Sequence, residues 1–292
     1  MQGWLIYSKE DAEENKSYID WFIHEGKQQH VHIKLIYREK LHLGIHNAGN
    51  MISYDNKQIT LPDFVVVRTI EPMIQHIFES LAIPTFNPFY VAHTANHKGW
   101  TYTEINKLGI PILPTYFTTK KAFPTHPPLP FPFVVKEATG RGGKEVHYIT
   151  CSEQWNAVKH HLHSNDIVIQ DANVKLGKDV RVFVIGEQII AAVLRKNDDD
   201  FRANFKLGGI AQVFTLSDKQ INMIRKIINH FNFGLVGIDF FIDHQGELIF
   251  NEIEDVVGSR ILSATTNINL LEKYITFIKK SVLKKDVSEF SS

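Results

Sequence analysis

A chain of 292 residues with 43% hydrophobic and 22% charged content holds enough apolar material for one large domain or two to three packed ones, which excludes a disordered chain or a disulfide-stapled peptide. The 32 Lys and Arg balance the 32 Asp and Glu, so no global field draws the protein to nucleic acid or an anionic membrane, and any charge-based function is local. Cys151 is the single cysteine, which excludes an intramolecular disulfide and a cysteine zinc site. The start lacks a signal-peptide pattern and no segment approaches the roughly 18 apolar residues of a membrane span, so the expected location is the cytoplasm.

In chain order, residues 4–7 read as a short buried strand and 12–26 as a helix with Ile19, Phe22 and Ile23 on its apolar face. Strands are expected over 32–37 and, after a Pro-Asp turn signal, over 64–67; a helix follows over 70–81. Strands alternating with helices predict an α/β fold with a mostly parallel sheet, and no glycine-rich dinucleotide fingerprint follows the first strand. A helix over 96–108 carries Lys98 near its start. The prolines from Pro124 to Pro132 then exclude a helix or a central strand and predict an ordered loop.

Strands over 133–136 and 145–149 flank Glu137-Ala-Thr-Gly-Arg-Gly-Gly-Lys144. Glycines there let backbone N–H groups approach an anion, as in a phosphate flap, or they make a flexible hairpin turn; a Walker A loop is excluded by the residue order. A helix over 152–163 and strands over 167–170, 181–185 and 188–193 come next. The clearest helix spans 217–231, where Ser217 and Gln220 fit a capping box and Ile221, Ile224, Ile227, Ile228 and Phe231 form the buried stripe. The histidines at 160, 161 and 163 read as a polar helix end, and the lysines from Lys279 to Lys285 as a solvated face.

Residues 235–242 and 248–254 flank Asp-His-Gln-Gly-Glu, a strong hairpin signal. Period-two geometry puts Glu252 and Glu254 on one face, and pairing of Asp243 with Leu248 places Asp239 opposite Glu252 on that face. Three carboxylates among apolar strands need a cationic partner, either a hard metal ion or, if the face is solvated, lysines.

The order helix lysine, strand lysine, glycine loop, acidic hairpin resembles the ATP-grasp ligases, specifically the RimK-type amino-acid ligases. The likeness is carried by HKGWTYTEINKLGIPILPT, FVVKEATGRGGKEV, VIQDANVKLGKDVRVFVIGEQIIAAVLRK, DFRANFKLGG, and GIDFFID with LIFNEIEDVVGSR, over about residues 96 to 260. It implies a pre-ATP-grasp α/β domain over 1–95, then a two-lobed ATP-grasp fold of α+β character, with a central lobe over 96–170 and a C-terminal lobe over 171–287. It further implies that Lys98 and Lys136 contact the ATP phosphates beneath a flap containing Gly140, Arg141, Gly142 and Gly143. By the same likeness Gln170, Asp171 and Asn173 lie where adenine binds, and Asp179 holds the ribose. Arg195, Arg202 and Asn204 match the catalytic stretch handling the phosphoryl group and substrate carboxylate, and Asp239, Glu252 and Glu254 match the ligands of magnesium, with two ions expected.

Two departures stand out: Glu254 occupies a position that is usually Asn in these ligases, and the loop after it reads Asp255-Val-Val-Gly-Ser-Arg260. The implied activity is ATP-dependent joining of a small-molecule or peptide carboxylate to an amine through an acyl phosphate, with release of ADP and phosphate. An ATP-grasp kinase and a noncatalytic ATP-binding protein are the competing readings. No nucleic-acid or membrane partner is expected, and a homo-oligomer is left open.

Overall fold

The structure is a computed structural model that describes residues 1–47, 49–140, 145–197 and 209–289, with side chains through 284. It opens with β1 (Gln2–Tyr7), α1 (Lys9–Glu14), α2 (Lys16–Gln28) and β2 (His32–Tyr37). The helix expected over 12–26 is divided in two: the Asn15 side chain donates to the Asp11 carbonyl at 2.7 Å, a local bond that competes with a continuous helix. A small antiparallel sheet absent from the sequence expectations follows, β3 (Leu41–His46), β4 (Gly49–Tyr54) and β5 (Lys57–Gln58), before β6 (Phe64–Val67), α3 (Pro72–Ser80) and β7 (Thr85–Phe86). Its strands alternate weakly and expose Ile45 and Met51, so no apolar period announces them.

The first sheet has the order β2-β1-β6-β7 and is parallel throughout, as its β-branched strands predict. Leu5, Ile6, Val65 and Val66 are buried on its two faces. Next come α4 (Phe89–Ala95), which the sequence expectations lack, and α5 (Lys98–Lys107), the helix expected over 96–108. A second, antiparallel sheet of order β10-β9-β11-β8 is built from β8 (Thr115–Thr119), β9 (Phe133–Glu137), β10 (Val146–Ile149) and β11 (Asp166–Asp171), with α6 (Ser152–Val158) packed on it through Trp155. The proline-dense run is the loop between β8 and β9.

The third sheet, β14-β13-β12-β15-β16, contains β12 (Lys178–Ile185), β13 (Gln188–Lys196), β14 (Ile210–Val213), β15 (Leu235–Ile242) and β16 (Leu248–Glu254), with α7 (Asp218–His230) before β15. The capping box of Ser217 and Gln220 forms, and Ile224, Ile227, Ile228 and Phe231 are buried as expected, while Ile221 is only partly buried. After β16 the chain makes α8 (Arg260–Thr265) and α9 (Leu270–Glu289). α9 returns to the first sheet: Leu271, Tyr274, Ile275 and Ile278 join Leu5, Phe22 and Phe64 in one core. Each such side chain, fully buried, contributes roughly 1.5–3 kcal/mol, so the first and third sheets are held together by apolar packing.

Buried Asn87 adds a polar staple, donating to the Leu235 and Asp255 carbonyls at 2.9 and 2.8 Å and accepting from the Gly234 N–H at 2.7 Å. A Cβ on Gly234 would lie 3.0 Å from the Asn87 oxygen, which is why a glycine stands there. Among the described residues no helix is long and apolar enough to cross a membrane.

Candidate active site

The acidic hairpin forms with one shift in register. Ile242, rather than Asp243, pairs with Leu248, because the Asp243 side chain caps the turn by accepting from the N–H groups of Gln245 and Glu247 at 2.9 and 2.7 Å. The register then slips between Asp239 and Phe240, with Asn251 as the extra residue of a bulge. The bulge restores the expected outcome at the far end, where Asp239 lies opposite Glu252.

Cross-strand pairing continues this face over four strands. Arg181 lies opposite Asp239, and Asp179 lies opposite Arg195. One face therefore carries Arg195, Asp179, Arg181, Asp239, Glu252 and Glu254, two guanidiniums against four carboxylates.

The three acids share one face as expected, but among the described residues no three His, Cys, Asp or Glu side chains stand close enough together to hold a metal ion as placed. Arginines are the reason. Arg181 grips Asp239 with two bonds of 2.7 Å, and Arg195 adds a third of 2.7 Å. Arg195 also holds both oxygens of Asp179, at 2.5 and 2.6 Å, and Arg181 reaches Glu254 at 2.5 Å. Burial alone would raise the Asp239 pKa, but the two guanidiniums outweigh it and hold the carboxyl down to about 2. The cations that the buried acids demand are thus arginines rather than lysines.

Lys136 on β9 is buried, and its ammonium donates to the Tyr102 hydroxyl and the Gln170 side-chain oxygen at 2.8 Å each. Gln170, fully buried on β11, is oriented in turn by donating to Thr115 at 2.9 Å. Burial pulls the Lys136 ammonium down to about 8, against the favourable charge of Glu252. Lys98 sits at the start of α5, its N–H bonded to the Ala138 carbonyl at 2.9 Å and its ammonium to the Gly140 carbonyl. Lys98, Gly140, Glu252 and Glu254 line a single cleft beside the junction of α4 and α5.

Magnesium commonly takes one or two carboxylates together with phosphate oxygens. Glu252 and Glu254 fit that demand, since both line the cleft and their oxygen donors suit a hard cation; Glu254 shares Arg181 with Asp239, and Asp239 is held by both Arg181 and Arg195. Asp171 and Asn173 lie apart, in the turn leaving β11, where the Asn173 N–H bonds to Asp171 at 3.1 Å and His244 contacts Asn173 at 3.1 Å. Asp179 lies within the ion network, so a ribose contact would require its pair with Arg195 to open. Arg141, Gly142, Gly143, Arg202 and Asn204 lie outside the described residues.

Two residues of this site are missing from the sequence expectations. Arg181 stands two positions after Asp179 and so shares its strand face, and Tyr102 stands four after Lys98 and so shares its helix face; both periods were available as signals.

The RimK-like ATP-grasp domain family matches residues 108–278. An uncharacterized protein of Mycoplasma pneumoniae is 25% identical over 265 residues, covering 89% of this chain and 85% of its own length. A probable alpha-L-glutamate ligase of Legionella pneumophila is 33% identical over 155 residues, covering 51% of this chain and 50% of its own. In three dimensions the chain resembles the ATP-grasp ligase PsnB complexed with minimal precursor, Mg and ADP, with a TM-score of 0.70 at 14% identity over 96% of this chain and 97% of that one. The chain belongs to the RimK-like ATP-grasp family, enzymes that join a carboxylate to an amine with ATP.

Proposed function

We propose that this ligase activates an amino-acid or peptide carboxylate as an acyl phosphate and transfers it to an amine within the cleft lined by Lys98, Gly140, Glu252 and Glu254. The observation that carries the reading is that a helix lysine, a glycine-loop carbonyl and two hairpin acids, far apart in sequence, line one cleft, with Lys136 close enough for its charge to respond to Glu252.

A carboxylate is a poor electrophile. Its oxygen attacks the γ-phosphorus, the bond to ADP breaks, and the acyl phosphate so formed is attacked at carbon by the amine, which loses its proton as phosphate departs. In the proposed assignment Lys98 and Lys136 hold the phosphates, and the Gly140–Gly143 segment covers them and keeps water from the acyl phosphate. Gln170, Asp171 and Asn173 border the adenine. Asp179 acts by fixing Arg195, while Asp239 keeps Arg181 and Arg195 aimed at the site. Arg202 and Asn204 complete the substrate side. Magnesium, as two ions, would be held by Glu252 and Glu254 and would neutralise charge on the phosphates.

The division at 95/96 and 170/171 into three domains and a cytoplasmic location complete the proposal. L-glutamate is the first substrate to test, because the Legionella relative bears a glutamate-ligase name. Incubation with magnesium, ATP and a panel of amino acids should release ADP and phosphate in equal amounts and yield an amide detectable by mass spectrometry. Nucleotide binding with no phosphate release, or a stable phospho-product formed without any amine, would overturn it.

A further inference from the structure

In an open α/β sheet, ligands bind outside the carboxyl ends of the strands where the strand order reverses direction. In the order β2-β1-β6-β7 that point lies between β1 and β6. Tyr7 ends β1 and Arg68 follows β6. The Arg68 guanidinium donates to the Tyr7 hydroxyl at 3.2 Å and to the Val257 carbonyl at 3.0 Å, and it lies 4.9 Å from the centre of the Tyr18 ring. Val257 belongs to the loop leaving Glu254, so this cation stands at the junction of the first sheet with the acidic hairpin.

Its surroundings differ from those of Arg181 and Arg195. Each of those is neutralised by carboxylates, whereas among the described residues no carboxylate pairs with Arg68. Beside it the Tyr18 hydroxyl is enclosed and has no hydrogen-bond partner among the described residues, and the Thr69 hydroxyl is in the same condition. Burial pushes the Tyr18 pKa up to about 12, which keeps that hydroxyl a donor. A half-buried cation without a counter-charge and an enclosed donor without an acceptor make one common demand, an anion with planar oxygens. A carboxylate answers it, because a guanidinium fork matches two carboxylate oxygens.

We infer that Arg68 and Tyr18 form a subsite for a carboxylate of the amino-acid substrate, where the carboxyl ends of β1 and β6 meet the Asp255–Arg260 loop. The inference rests on the ligase reading for the identity of its occupant, and its test is a binding measurement that does not require turnover. Wild-type protein and the Y18F and R68Q variants are titrated with the proteinogenic amino acids, L-glutamate first, and binding is followed by thermal shift. The best-binding amino acid is then compared with its carboxamides.

In the wild type at least one amino acid should raise Tm, and one carboxamide of it should not. Y18F should weaken that amino acid by about fivefold, the loss of one hydrogen bond, while leaving the thermal shift given by ATP unchanged. R68Q should weaken it by at least about thirtyfold. A purely structural Tyr18 would give an equally or more stable Y18F protein with wild-type affinity, and that result, like equal binding of acid and carboxamides, would overturn the subsite. No thermal response of the wild type to any amino acid would overturn it too, while ADP and phosphate release judges the ligase reading separately.

Discussion

Asp239 and Lys136 are both buried ions of the same site, yet their surroundings answer their charges in opposite ways. Asp239 receives three charge-assisted hydrogen bonds from two guanidiniums and is held far down its titration range. Lys136 is held by a phenol and an amide oxygen, both neutral, and its ammonium is correspondingly destabilised. The quartet of Asp179, Arg195, Asp239 and Arg181 is a finished network that fixes geometry, whereas the lysine is aimed and left short of negative charge. An incoming phosphate relieves that deficit and has no such effect at Asp239.

The contrast is broken most severely by D239N. Two buried arginines lose the carboxylate they share, Arg195 keeping Asp179 and Arg181 keeping Glu254, and urea denaturation should report a loss of about 3 kcal/mol. The sign with pH follows: the native pKa lies below the ordinary 3.8, so the stabilisation is present above that value and is lost as pH falls toward about 2. K136M should show the reverse pattern, with nearly unchanged Tm and a KM for ATP raised roughly a hundredfold, measured by ADP release.

A gentler change sharpens the same point. Because the Lys136 pKa is depressed to about 8, the free enzyme loses this charge as pH rises through 8, and kcat/KM for ATP should fall there in the wild type and stay level in K136M. The smallest effect belongs to Y102F, which removes one of the two neutral acceptors. About 1 kcal/mol of orientation is lost, a KM for ATP some fivefold higher, and the alkaline limb should move to lower pH.

Much of the third sheet could be read from residue order. The capping box at Ser217, the stripe on α7 and the facing of Asp239 with Glu252 all follow from local periods. The last was reached through two departures that cancel: a turn closed one residue early by Asp243 and a bulge at Asn251. What stayed hidden depends on contacts between distant segments. Arg181 meets Asp239 across 58 positions, Tyr102 meets Lys136 across 34, and no local period shows which strand will lie beside β12. The same holds for α9, whose apolar face is visible while its docking beside Leu5 and Phe22 is not. Arg68 reads as an ordinary polar residue after a strand until the sheet order shows where that strand ends.

In the proposed complex the helix lysine, the buried strand lysine and the hairpin acids surround one triphosphate. A crystal structure of the protein with magnesium and a nonhydrolysable ATP analogue tests it most directly. Phosphates are expected in the cleft between Lys98, Gly140 and Glu252, with the Lys136 ammonium bonded to a phosphate oxygen. Nucleotide bound elsewhere, with Lys136 still held only by Tyr102 and Gln170, would contradict it.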